Sequence, residues 1–291
     1  MGKFRLRGRK RRAREGDASR VPVRALVPNL VTSLAACAGI TSISLSSEGR
    51  FTLALVALLV ACVCDGMDGR IARLLKASSK LGAELDSLAD FVNFGVAPAM
   101  FMFFWLTGRY FGSTEVLVSD QRLVRVILGC SLFYAMCDCF RLARFNTMLE
   151  QEPLPYWKHF FTGVPAPGGC WMVLTPAILS LALEAKGKYP ALAHFLQNPW
   201  TGIFMLLFVG ALMASRLPTI SLKAIHLHGK TQVRIFMTVA LLIIGLLVCD
   251  LWLTLGTLGL GYMLTVPITC AIFLKLRAKH ERGLTSTLNK S

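Results

Sequence analysis

The 291-residue sequence predicts an all-α polytopic membrane protein of about eight transmembrane helices, and three observations predict it. Apolar residues make up 54% of the chain, and its mean hydropathy of +0.57 lies above the balance of a soluble domain. The apolar residues fall in long runs, and about 20 in helical conformation cross the hydrocarbon core of a bilayer. The basic residues gather in alternate connections between those runs, as the asymmetric charge of the two membrane faces requires.

Taken in order, the spans are 26–45, 51–74, 80–107, 123–146, 165–185, 200–216, 233–250 and 253–275. The first opens with PNLVTSL and the second closes in CDGMDGRIARL; the third begins LGAELDSLAD and the fourth ends in FRLARFN. Before the fifth, the Gly and Pro spacing of FTGVPAP breaks the helix and predicts a shaped entrance loop. The sixth closes at ASRLP, and two further apolar runs follow. With the amino terminus inside, 26 of the 32 Lys and Arg fall on the inner side. That predicts a multi-pass inner-membrane protein with both termini in the cytoplasm.

The formal net charge of +16 owes much to residues 1–24, which hold ten basic side chains. No folded recognition module accompanies them, so the arm reads as a polybasic tail beside anionic lipid, and no nucleic-acid partner is expected. It is too charged and too long for the head of a cleaved signal peptide. The nine cysteines lie almost all inside apolar runs. Cys62/Cys64 and Cys137/Cys139, two residues apart, do not share a helical face, so they are expected to be reduced apolar filler rather than metal ligands.

The most informative stretch is 65–90, which crowds five of the 16 acidic residues around one predicted connection. An ionised carboxylate at membrane depth costs roughly 2.5–3.5 kcal/mol on insertion scales, so a cluster of them calls for a compensating cation. Asp65 and Asp68 are three apart and Asp86 and Asp90 four apart, so each pair projects from one face of its helix. The short connection through Lys76 and Lys80 folds the pairs face to face. Four oxygen donors without His or Cys suit hard ions such as Mg²⁺ or Mn²⁺. Gly66, Gly69 and Gly82, with the small Ala72, leave room for a ligand against the backbone, and Arg73 offers a partner for phosphate. Glu84 falls off the Asp86/Asp90 face. A transporter that passes divalent cations through the same acids would place them near the midplane, not toward one surface.

Asp65, Asp68, Gly69, Ala72, Arg73, Gly82, Asp86 and Asp90 match the signature D-x2-D-G-x2-A-R-x8-G-x3-D-x3-D at every fixed position. On these residues the chain resembles the CDP-alcohol phosphatidyltransferases. SSKLGAELDSLADFVNFGVAPA, FRLARFN and FTGVPAP are similar to segments of its serine-using bacterial membrane branch. The resemblance implies a six-helix core over residues 25–223, two additional helices over 224–276 and a cytoplasmic tail over 277–291. It implies two divalent ions, Mg²⁺ or Mn²⁺, held by Asp65, Asp68, Asp86 and Asp90, with Asp90 also the general base. It places Asn29, Thr32, Gly69, Ala72, Arg73 and Gly82 around the CDP group, although Asn29 and Thr32 also read as polar residues capping a helix entrance. CDP-diacylglycerol and L-serine would be the substrates, phosphatidylserine and CMP the products, and membrane lipids and a second copy of the chain the partners.

Serine needs cations for its carboxylate, and Arg141, Arg144 and Arg216 each end a span on the inner side. Each reads equally as an anchor whose charged head reaches the interface. Asp138, one turn before Arg141, is expected to pair with it. The carboxylate motif does not separate serine from glycerol 3-phosphate, inositol phosphate or choline. Asn93 stands where the family commonly has a small hydroxyl residue.

Overall fold

In the computed structural model, which describes residues 23–77, 79–108, 117–148, 160–187, 189–215, 217–220 and 230–288, helices occupy all eight of the expected stretches. They are α1 (Val23–Ser47), α2 (Phe51–Leu74), α3 (Lys80–Asp90), a π-helical segment (Phe91–Val96), α4 (Ala97–Thr107), α5 (Gln121–Met148), α6 (Ala166–Ala185), α7 (Pro190–Leu196), α8 (Pro199–Ala214), α9 (Lys230–Cys249) and α10 (Leu251–Leu288). Among the described residues six spans are long and apolar enough to cross a membrane, α1, α2, α3 to α4 taken together through the π-helical segment, α5, α6 and α10, and α7 with α8 adds a seventh if the pair, bent by 52°, is one span. The helix of the seventh expected span, α9, is 20 residues long, with Met237–Cys249 its apolar stretch among the described residues.

Large apolar side chains on the outside of the bundle, such as Leu30, Leu34, Val63, Phe140, Phe204 and Leu264, are well exposed. Water would reject so continuous an apolar surface; lipid accepts it. The core proper is formed by Phe94, Phe101, Met102, Leu106, Ile127, Tyr134, Met172, Leu206 and Met213, all buried. Close helix approach depends on small residues: a Cβ on Gly202 of α8 would stand 2.3 Å from Leu106 of α4. At the opposite end of the bundle from the carboxylates, Lys186 pairs with Asp250 and ties the end of α6 to the start of α10. That ammonium holds the Asp250 carboxyl below its ordinary range.

The third span is not a plain α-helix. Pro98 has no N–H to return to the carbonyl of Phe94 four residues earlier, and the chain between Asp90 and Ala97 takes π-helical spacing. The buried Tyr134 hydroxyl of α5 donates to the Phe94 carbonyl at 2.9 Å. Left without a donor, such a carbonyl would cost roughly 1–3 kcal/mol.

FTGVPAP proves to be more than a loop. Phe160–Thr162 (β1) pairs antiparallel with Pro218–Ile220 (β2), in the register Phe160 to Ile220 and Thr162 to Pro218. Gly163 then turns the chain at φ +83°, and its N–H donates to the Leu217 carbonyl at 2.8 Å. A Cβ there would lie 2.9 Å from the carbonyl oxygens of both Met213 and Ser215, so the position takes glycine on two counts. Three-residue strands lie below the length at which alternation shows in a sequence.

Candidate active site

The turn between α2 and α3 builds the site. Lys76 takes a left-handed conformation at φ 51°, and the N–H groups of Lys76 and Ala77 donate to the carbonyls of Arg73 and Ala72 at 3.2 and 3.0 Å. This closes α2 with the bonds of a Schellman cap, made without glycine. Ser79 then caps α3, its hydroxyl accepting from the Gly82 N–H at 3.0 Å. Two caps around this turn lead from α2 into α3, and both helices pack on α1, whose Thr32 reaches Asp68 and whose Asn29 lies beside Gly82, so the end of α2 and the start of α3 meet at one site.

One ligand oxygen from each of Asp65, Asp68 and Asp86 lies within 4.8 Å of the others. Asp68 is the most deeply placed, at 4% exposure. Its Oδ2 lies 2.6 Å from Thr32 Oγ1 of α1, and its Oδ1 accepts from the Gly69 N–H. Thr32 Oγ1 also lies 3.1 Å from the Pro28 carbonyl, so one proton serves two acceptors and the shorter contact is to the carboxylate. Asp90 stands apart from this trio, next to Asp65 and within the field of Arg141. Its Oδ1 is buried without a hydrogen-bond partner among the described residues.

Beside the trio opens a cavity of about 180 Å³ lined by Asn29, Thr32, Asp68, Gly69, Ala72, Gly82 and Asp86, with Pro28, Ala77, Ser79 and Ala83 completing the wall. Seven of the residues singled out in the sequence therefore share one cavity. At Gly82 a Cβ would fall 2.9 Å from Asn29 Oδ1 and 3.1 Å from Ser79 Oγ, so a side chain there would displace Asn29 or the capping hydroxyl. Gly66 and Gly69 are different: nothing lies within 4 Å of where their Cβ atoms would be. Packing does not require these two glycines, whereas a ligand laid along the α2 backbone would.

Arg73 and Glu84 are exposed and neither lines the cavity. Asp138 is wholly buried and pairs with Arg141, Oδ1 to Nε at 3.7 Å, with the arginine side chain 12% exposed. Arg144 turns away from the acids. Its Nη1 donates to the Ala214 carbonyl at 2.9 Å and its Nη2 to Ser215 at 2.9 Å and Met213 at 3.4 Å, closing the carboxyl end of α8. Arg216 lies outside the described residues. The sequence reading missed two links to the site. Thr32 was placed near the nucleotide and not on Asp68, and Asn146 of FRLARFN donates to Ser87 Oγ of α3 at 3.0 Å.

Arg144→Ala is therefore expected to act on stability. Hydrogen bonds from a charged donor to the partly buried carbonyls of Met213 and Ser215 contribute roughly 1–3 kcal/mol, so the midpoint of thermal unfolding in detergent should fall while the KM for the acceptor alcohol holds. A raised KM with an unchanged midpoint would instead make Arg144 a substrate ligand.

With this geometry in hand, the chain can be set beside known proteins. The family model described as CDP-alcohol phosphatidyltransferase matches residues 25–267. A CDP-diacylglycerol–serine O-phosphatidyltransferase of Mycobacterium leprae (strain TN) is 37% identical over 202 residues, 69% of this chain and 59% of that relative. A protein of the same name from Mycobacterium bovis (strain ATCC BAA-935 / AF2122/97) is 29% identical over 247 residues, 83% of this chain and 77% of the relative. Another, from Helicobacter pylori (strain J99 / ATCC 700824), is 30% identical over 221 residues, 75% and 82% of the two chains.

Proposed function

We propose that this chain, which belongs to the CDP-alcohol phosphatidyltransferase family, transfers the phosphatidyl group of CDP-diacylglycerol to the hydroxyl of L-serine, yielding phosphatidylserine and CMP. The observation that carries the reaction class is the trio of carboxylates at one end of the bundle, open to a cavity walled by small residues. The choice of serine is supported by the names of the relatives reported above.

The residues fit divalent cations. Three carboxylate oxygens within 4.8 Å of one another repel unless a positive charge lies between them. All the donors are hard oxygens, which favours Mg²⁺ or Mn²⁺ over softer ions. Asp65, Asp68 and Asp86 would hold two such ions, with Asp90 beside them. When bound, the pair supplies charge neutralisation at the pyrophosphate and polarises the phosphoryl group under attack.

The chain's own residues do the rest. Gly69, Ala72 and Gly82 leave the cavity wall low enough for the phosphates and cytidine to lie against α2 and α3, and Arg73, at the rim, meets an outer phosphate oxygen. Thr32 and the Gly69 N–H hold Asp68 in one orientation. Asp90 takes the serine hydroxyl proton on its unpartnered oxygen as the new O–P bond forms and the bond to CMP breaks. Arg141, fixed by Asp138, holds the serine carboxylate. The carboxylate end of the bundle faces the cytoplasm, where serine is dissolved, the lipid arrives from the bilayer, and the enzyme works in the inner membrane as a homodimer.

The test is direct. Purified protein is given CDP-diacylglycerol, Mg²⁺ or Mn²⁺ and labelled serine, glycerol 3-phosphate, inositol phosphate or choline, and CMP and the lipid product are followed. Phosphatidylserine is the expected product. Product from another alcohol, and none from serine, would overturn the acceptor assignment and leave the reaction class in place.

A further inference from the structure

α3 carries two of the four acids, yet it is lightly held. It packs on α1 and runs on into the π-helical segment, and among the described residues Ala89 is the one of its eleven that is buried. A helix with so few buried contacts leaves much of its position to the side chains that fasten it.

Two contacts fasten this span to α5. Asn146 Nδ2, in the last turn of α5, donates to Ser87 Oγ of α3 at 3.0 Å. Deeper in the bundle, a Cβ on Gly95 would stand 2.9 Å from Asp138 Oδ2, so α5 lies directly against the π-helical segment there. Eight residues separate Asn146 from Asp138, and eight separate Ser87 from Gly95 in the opposite chain direction, so the two helices run antiparallel and in step. Asp90 lies between the two contacts on one helix, and Arg141 lies between them on the other. Ser87 follows Asp86 directly and shares the face of Asp90 one turn earlier. A change in how Ser87 is held therefore moves both acids.

We infer that Asn146 is a positioning residue for phosphatidyl transfer: through Ser87 it sets where the start of α3 stands along α5, and with it the place of Asp86 in the carboxylate trio and of Asp90 before Arg141. The inference rests on the phosphatidyl-transfer reading above. It adds to that reading a residue that lines no part of the cavity and belongs to no position of the signature. A neutral amide makes this bond without adding a charge beside the acids.

Asn146→Ala and Ser87→Ala remove the bond from its two ends. Each should lower kcat at saturating serine and Mn²⁺ by about tenfold or more, because a misplacement of about 1 Å is enough for a loss of that order. The KM for serine should hold within about twofold. The unfolding midpoint should hold as well, since Asn146 is exposed and Ser87 only half-buried. Both losses come from one bond, so the double variant should be no slower than either single one. Ser87→Thr, which keeps the hydroxyl, should retain the wild-type kcat within about twofold. Mn²⁺ affinity, read by electron paramagnetic resonance on protein without substrate, should weaken about threefold to tenfold in both alanine variants, the contribution of one hydrogen bond. Losses that multiply in the double variant, or a raised KM for serine in Asn146→Ala alone, would make Asn146 a substrate ligand and overturn the inference. Wild-type kcat or wild-type Mn²⁺ affinity in Ser87→Ala would overturn it too. Should the wild type use another alcohol and not serine, the acceptor assignment fails by that result alone. The same variants are then read with the alcohol that reacts, and the Mn²⁺ isotherm, which needs no alcohol, decides the role of Asn146 in either case.

Discussion

An Asp90→Asn enzyme is expected to bind CDP-diacylglycerol as the wild type does and to turn over slower by roughly two to four orders of magnitude, the usual contribution of a positioned general base. The substitution keeps the size of the side chain and removes only its capacity to take a proton. The trio of Asp65, Asp68 and Asp86 is untouched, as is the cavity beside it, which Asp90 does not line. The loss should therefore appear in kcat, measured as CMP released under saturating substrates, while the binding isotherm for the nucleotide lipid in detergent stays within a few-fold. The setting explains the size of the effect. Asp90 has a buried oxygen that no described residue satisfies, poised next to Asp65 where the α-helix gives way to the π-helical segment. A carboxylate is a weak base for an alcohol, and it contributes most when proton transfer accompanies attack on phosphorus. Turnover within tenfold of wild type would move the role of base to another group.

Helical periodicity made half of this site legible before any coordinates. Asp65 with Asp68, and Asp86 with Asp90, could be assigned to two facing helical surfaces from spacing alone, and three of the four do converge. Asp90 is the last residue of α3 before the π-helical segment and lies next to Asp65 and not within the trio. Local sequence seldom announces a π-helical turn. Thr32 was visible as a polar residue near the start of a membrane helix, but its bond to Asp68 joins residues 36 positions apart, and no pattern within one helix reports that. Arg144 is the opposite case. As a cation ending a span beside Arg141 it looked like a substrate ligand, whereas its partners are the carbonyls of a helix some 70 residues later. The caps at Lys76 and Ser79 show a similar limit, since the reversal at Lys76 uses the left-handed conformation that sequence reading reserves for glycine. Helices fall on all eight apolar runs, and among the described residues six spans, or seven with the bent α7–α8 pair, are long and apolar enough to cross a membrane.

The metal-holding assignment makes the second large prediction, and it concerns affinity more than rate. Thr32→Val removes the hydroxyl that fixes Asp68 Oδ2 while leaving every carboxylate in place. Partners of this kind orient a ligand, and their loss weakens metal binding by roughly 10–100-fold. Asp68→Asn removes the ligand's charge as well and should weaken binding by at least as much. Mn²⁺ titration followed by electron paramagnetic resonance reads this directly, on protein without substrate, and the Mn²⁺ concentration needed for half-maximal turnover should shift in parallel. The two variants differ in what excess metal can repair. Thr32→Val, with its full set of acids, should regain most of its activity at high Mn²⁺; Asp68→Asn should not, because the neutral amide leaves the trio one charge short. An unchanged Mn²⁺ isotherm in Asp68→Asn would mean that the acids meet the membrane's charge penalty by some means other than a cation. Their nearest basic neighbours on the same helix, Arg70 and Arg73, are both exposed and form no ion pair with them among the described residues. Three carboxylates on the membrane spans, held within 4.8 Å of one another, of which Asp68 alone is met by a hydroxyl and an amide N–H, would be compensated by a cation held among them, and that is what the titration tests.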